Sequence, residues 1–294
     1  MGKAKRLRKQ RDKESSLYPA GACSFALKLA RADVHLNDLQ VEVSRWIDDA
    51  LKTVVEEPDP EGSGYYAAWV TPPAPDYAAF SLLAGDCLQC LRSALDHLAF
   101  ELAAAFTVPM TDQIEDDSEF PIVGDLDQLG LPGAGPRKWR DGAHMKVVGA
   151  NPAAQTEIER LQPYQRGQSF EADPLWQLGI LNNLDKHRRL HVIGVAKQGA
   201  TMLGPGMRNV GAIGPGTLEV TDEVEVEGRT KVARWPAKPT DPSKKMHMDF
   251  KPVLRVVFDA TTPLVGGESL CDTLAGLRRY IASAVLPPLV GFLK

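Results

Sequence analysis

A chain of 294 residues with 44% hydrophobic and 24% charged side chains has the composition of a globular protein, long enough for one large domain or two small ones. Four cysteines, Cys23, Cys87, Cys90 and Cys271, are too few for a disulfide framework at this length, which points to a reducing cytoplasm. No apolar run reaches the ~20 residues of a membrane helix, and no apolar segment follows the basic N-terminus as a secretory signal requires.

Charge is uneven. Residues 1–14 hold seven Lys/Arg against two acids, a net +5 that leaves −9 on the rest of a chain totalling −4. Such an arm either touches RNA, DNA or another anionic surface, or is a solvated tail. The second reading gives a basic flexible tail over 1–20 ahead of a single domain over 21–294.

The first predicted helix covers about 25–57. Leu29, Ala32, Leu36, Leu39, Val43, Ile47, Ala50 and Val54 recur at spacings of three and four, on one face. Proline and glycine over 58–64 stop it. Residues 65–71 (YYAAWVT) are aromatic and β-branched and read as a strand. Asp76 is a candidate N-cap for a second helix that ends before Pro109. Residues 108–150, rich in Pro, Gly and acids, read mostly as loop. In it Asp112, Glu115, Asp116, Asp117 and Glu119 form a solvated acidic stretch, and Arg137-Lys138-Trp139-Arg140 is either a nucleic-acid contact or a solvated loop with one anchoring Trp.

Asn151-Pro152 and Asp173-Pro174 each pair a capping side chain with a proline suited to the first helical turn. They predict a helix ending at Gln162 and another with Gly194 as its C-cap. Residues 217–226 and 230–237 alternate around Glu227-Gly228-Arg229, a hairpin signal, and 249–260 reads as a further strand with Pro252 near an edge. A last helix from about 268 carries Leu270, Leu274, Leu277, Ile281 and Val285 and is broken by Pro287-Pro288. The fold class is α+β. About four helices form a bundle over 24–196, a small, mainly antiparallel sheet lies within 197–262 and is joined by the strand at 65–71, and a C-terminal helix covers 266–293.

Two polar boxes interrupt the apolar helices: Leu91-Arg92-Ser93-Ala94-Leu95-Asp96-His97-Leu98, and Asn182-Asn183-Leu184-Asp185-Lys186-His187-Arg188-Arg189-Leu190-His191. Charges are rarely buried unpaired. At ~100° per residue, Arg92 and Asp96 can pair at i, i+4, whereas Arg92 and His97 diverge by roughly 140°. Asp185 and Arg189 can pair in the same way. If the two box helices pack side by side, Asp96 and His97 meet Lys186, His187 or Arg188. The boxes then serve either as a buried network that fixes helix register, or as acid/base chemistry. In the second case a carboxylate-tuned histidine moves protons while an arginine holds a phosphate, with no cofactor required.

Arg92-x4-His97 resembles the Arg-x4-6-His motif of HEPN domains, small helical bundles of bacterial toxin, antiphage and RNA-processing nucleases. The wider pattern of Gly85-Asp86, the first box, Leu161-Gln162-Pro163-Tyr164 and Asp185-Lys186-His187-Arg188 is similar to a large bacterial family that carries the same paired boxes, over most of 24–196. The HEPN resemblance implies a metal-independent ribonuclease with RNA as substrate and a homodimer completing the site. Arg92 would bind phosphate, His97 would act as acid/base, Asp96 would orient it, and Asp185, His187 and Arg188 would form the facing wall.

Two other readings stay open. One is a non-catalytic binding or scaffold module whose boxes form an internal salt-bridge network. The other is a metal-dependent hydrolase using His187-x3-His191 and nearby acids, although Arg188 stands where the zinc-protease signature needs Glu. Cys87-x2-Cys90 has zinc-like spacing but no second pair, and reads as two small core residues. Neither a phosphate-binding glycine loop nor a Gly-x-Ser-x-Gly elbow is present.

Overall fold

The computed structural model describes residues 23–60, 64–124, 142–187, 192–202, 224–226, 229–236 and 250–293. The basic tail, the Arg137–Arg140 motif, Arg188, Arg189 and His191 lie outside them.

Spacing by threes and fours builds the first helix, α1 (Ser24–Leu51), and buries Leu29, Ala32, Leu36, Leu39, Val43, Trp46 and Ala50. The predicted extension to 57 is corrected. The chain turns at 52–54, where Thr53 Oγ1 donates to the Ala50 carbonyl and accepts the Thr71 N–H. Strand β1 (Val55–Pro58) then pairs antiparallel with β2 (Tyr65–Val70), Val55 opposite Trp69 and Pro58 opposite Tyr66. A β-branched pair ahead of a proline gains more from a partner strand than from another helical turn.

Helix α2 (Tyr77–Phe106) opens as expected, with Asp76 Oδ1 accepting the Ala79 N–H. Its face of Leu88, Leu91, Leu95, Leu98 and Leu102 is buried throughout. A short α3 (Asp112–Asp117) and a 3₁₀ turn (Ala143–Val147) follow. Asn151 caps α4 (Pro152–Arg160) through the Ala153 N–H. A 3₁₀ segment (Pro163–Ala172) leads into α5 (Pro174–His187), where Asp173 Oδ1 accepts the Leu175 N–H and Asp173 Oδ2 pairs with Arg166. Gly194 does not cap α5. It lies in strand β3 (Val192–Met202), which the sequence pattern did not announce.

β4 (Val224–Val226) and β5 (Arg229–Pro236) form the predicted hairpin, Val226 opposite Arg229. β2 pairs with β5, giving one antiparallel sheet in the order β1-β2-β5-β4. β3 forms a separate antiparallel pair with β6 (Phe250–Phe258). Pro252 faces Ala200 at the edge of a register irregularity between Lys197 and Ala200, a place where a missing N–H is tolerated.

Helix α6 (Leu270–Tyr280) is not broken by Pro287-Pro288. It passes into a π-helical turn (Ile281–Val285), and the prolines lie in the first turn of α7 (Leu286–Leu289). A helix's first turn has no use for their missing N–H groups. The buried stripe therefore continues through Ile281, Val285 and Leu289.

The chain divides into two compact units. One takes residues 1–36, 85–189 and 274–294 and is helical among its described residues. The other takes 37–84 and 190–273 and holds every described strand. The sheet of the second unit contains a buried ion pair, Lys231 Nζ to Asp59 Oδ1 at 3.0 Å. Arg229 and Lys231 both lie over the Trp69 ring, at 4.9 and 5.1 Å from its centroid. The fold is α+β, and among the described residues no helix is long and apolar enough to cross a membrane.

Candidate functional site

The leucine face of α2 carries Arg92 into the interior of the helical unit, where the residue is 9% exposed. Nη2 donates to Glu119 Oε1 at 2.6 Å and to the Phe120 carbonyl at 2.8 Å, and forms an ion pair with Asp96 Oδ1 at 2.9 Å. Asp96 Oδ1 also accepts the Phe120 N–H at 3.1 Å, and Glu119 Oε2 accepts Lys146 Nζ at 2.6 Å. The box thus ties α2 to residues 119–120 and to the 3₁₀ turn carrying Lys146. Burial pushes the Asp96 carboxyl above its ordinary value against the pull of Arg92. Burial pushes Glu119 up as well, but the hydrogen bond and charge of Lys146, followed by Arg92, outweigh it and hold Glu119 below the usual range. Glu119, which the sequence places in a solvated acidic stretch, is a principal partner of the buried arginine.

His97 faces elsewhere, as the ~140° divergence requires. Its Nδ1 lies 2.9 Å from Ser24 Oγ, and Ser24 donates both Oγ–H and N–H to Glu101 Oε1 at 2.5 Å. Glu101 sits one turn beyond His97 on α2 and closes the N-terminus of α1, a favourable place for a carboxylate. Burial pushes the His97 pKa down, Lys28 adds to that, and Glu101 opposes it. The expected role of Asp96 as the group orienting His97 is corrected: Asp96 serves Arg92 and the Phe120 N–H, and the partner of His97 is Ser24.

The two box helices do meet, but about three turns earlier on α2 than expected. Gly85 of α2 packs against Asp185 of α5, and a Cβ on Gly85 would overlap the Asp185 carboxylate. Next to it, Asp86 Oδ2 lies 3.9 Å from His35 Nδ1 of α1. Burial first, then the charge of Asp86, pushes the Asp185 carboxyl above its ordinary value. Asp185 has no hydrogen bond or ion pair among the described residues. Three positions earlier on α5, Asn182 is 4% exposed and its Oδ1 has no hydrogen-bond partner. Lys186 and His187 are exposed at the end of the helix. The expected meeting of Asp96 and His97 with Lys186 or His187 is replaced by a contact of Gly85 with Asp185. Arg188 and His191 lie outside the described residues.

Among the described residues no three His, Cys, Asp or Glu side chains are arranged to hold a metal ion. Cys87 is buried, and burial pushes its thiol up to about 12, the environment of a packed side chain and not of a ligand thiolate. Sequence reasoning missed Ser24, His35, Glu119 and Lys146. Gly85 and Asp86 carried the one available signal, as members of the wider motif pattern. Compared with known proteins, the chain matches no family model, no curated protein and no solved structure.

Proposed function

We propose that this chain is a non-catalytic binding or scaffold module. In this reading its first polar box fixes the packing of the helical unit. The observation that carries the reading is the state of Arg92: nearly buried, with one guanidinium nitrogen already shared among Asp96, Glu119 and the Phe120 carbonyl. A phosphate-binding arginine would have to leave those acceptors behind, unpaired and partly desolvated, before it met a substrate. The side chains of Arg92 and His97 also engage different parts of the unit, which argues against joint action on one phosphodiester.

The HEPN-like ribonuclease acting on RNA, with a homodimeric site, is the competing proposal, and a direct assay separates the two. Purified protein incubated with single-stranded and hairpin RNA in EDTA is expected to cut neither. Wild type, Arg92→Lys and His97→Ala are expected to be indistinguishable. Cleavage in EDTA that His97→Ala abolishes, with unfolding behaviour preserved, would establish the ribonuclease instead.

A further inference from the structure

One end of the helical unit carries an exposed apolar patch bordered by acids. Thr107 Oγ1 donates to the Gly149 carbonyl at 2.7 Å, which joins the end of α2 to the end of the 3₁₀ segment. On either side of Thr107, Phe106 is 52% and Val108 83% exposed. Across the junction Met145 and Val148 are exposed as well, at the i, i+3 spacing that 3₁₀ geometry sets on one side. Scattered exposed apolar residues are ordinary, whereas four at one junction mark an interaction surface. Gly149 also lies against Ile114 of α3 and Ala103 of α2, so α3 borders the patch. Its Asp112, Asp116 and Asp117 are exposed and have no ion pair among the described residues. Lys146, on the same 3₁₀ segment, is already committed to Glu119.

The most basic stretch of the chain joins the fold close to this end. The described residues begin at Cys23, and Ser24 is bonded to Glu101 of α2. Phe106 lies five residues beyond Glu101, ~7.5 Å along the helix, and Ala105, one turn beyond Glu101 on the same face, is exposed. Residues 19–22 can span up to ~13 Å. Before them come Leu17 and Tyr18, and before those seven Lys/Arg between residues 3 and 13. Apolar then basic, read back from α1, is the order of patch then acids, read outward from Glu101. We propose that residues 1–18 dock in cis on this end of the helical unit, with Leu17 and Tyr18 against Phe106 and Val108 and the basic residues along Asp112, Asp116 and Asp117. A short tether gives an effective concentration in the millimolar range, so contacts too weak to act between separate molecules suffice. An arm held in this way is withheld from anionic partners until salt or a competing surface displaces it.

Trypsin cuts after Lys and Arg, so the rate at which it removes the arm from the full chain tests the docking. At low salt the arm is expected to be cut at least fivefold more slowly than a synthetic peptide of residues 1–18. The protection is expected to disappear at about 1 M sodium chloride, where the screening length falls to about 3 Å. It is also expected to disappear in Asp112→Asn/Asp116→Asn/Asp117→Asn and in Phe106→Ser/Val108→Ser, and to be independent of protein concentration, with the protein sedimenting as a monomer. Both sets of substitutions change exposed side chains; should one variant fail to fold, the other decides alone. The inference is overturned if the arm is cut as fast as the free peptide at low salt, if high salt or either folded variant leaves the protection intact, or if protection rises with protein concentration alongside a dimer, which would seat the arm on a second copy.

Discussion

Arg92→Ala is expected to destabilise the protein by about 3 kcal/mol, the low end of what breaking a buried ion pair costs. The arginine is nearly buried, and three acceptors converge on its Nη2. Truncation leaves Asp96, already pushed up by burial, without the larger of the two charges that oppose the shift. It also leaves the Phe120 carbonyl without a donor, and unsatisfied buried groups cost about 1–3 kcal/mol each. Glu119 keeps Lys146, and its carboxylate is half exposed, so it adds little to the loss. The exposed pair Arg45–Glu42 on α1 is the internal contrast: Arg45→Ala is expected to change stability by no more than about 0.5 kcal/mol. Urea unfolding of the two variants checks this. A cost below about 1 kcal/mol for Arg92→Ala would mean that the first box does not hold the unit together.

Gly85→Ala is expected to destabilise, although alanine in place of glycine normally gains about 0.5–1 kcal/mol inside a helix. The new Cβ would meet all three atoms of the Asp185 carboxyl group, so Asp185 has to turn away or α5 has to move. Overpacking of this kind costs about 1–3 kcal/mol and outweighs the helical gain. The pair gives a sharper test than the single change. In Gly85→Ala/Asp185→Ala the obstruction is gone and the propensity gain remains, so the double variant is expected to exceed Gly85→Ala by at least about 1 kcal/mol, a coupling typical of residues in contact. Additive effects of the two substitutions would place the helix crossing somewhere other than at Gly85.

Local chemistry makes much of this architecture legible in the sequence. Asp76, Asn151 and Asp173 were identified as caps from residue type and a neighbouring proline or apolar run, and each accepts an N–H of its helix. The leucine face of α2 and the Arg92–Asp96 pair follow from helical period alone. What period cannot supply is the identity of distant partners. Glu119 sits among four other acids, and only the path of the chain brings it, and not Asp112 or Asp116, to Arg92. Asp185 lies a hundred residues from Gly85, and nothing in either box says that the contact is made by the glycine. Val54 continues the stripe of α1, so spacing carried the helix to 57, while pairing with β2 claims residues 55–58 for the sheet. In β3, Gly194, Lys197, Gln198 and Gly199 interrupt any alternation, and pairing with β6 is what defines the strand.

Amide hydrogen exchange at Phe120 bears most directly on the claim that the first box is a clamp. Its N–H is held by Asp96, which is held by Arg92, and no regular secondary structure covers the position. Strong protection of the Phe120 amide in wild type is the expected result, falling to that of an open loop in Arg92→Ala while the amides of Leu91 and Leu95 stay protected. Rapid exchange at Phe120 in wild type, or protection unchanged without the arginine, would contradict the account.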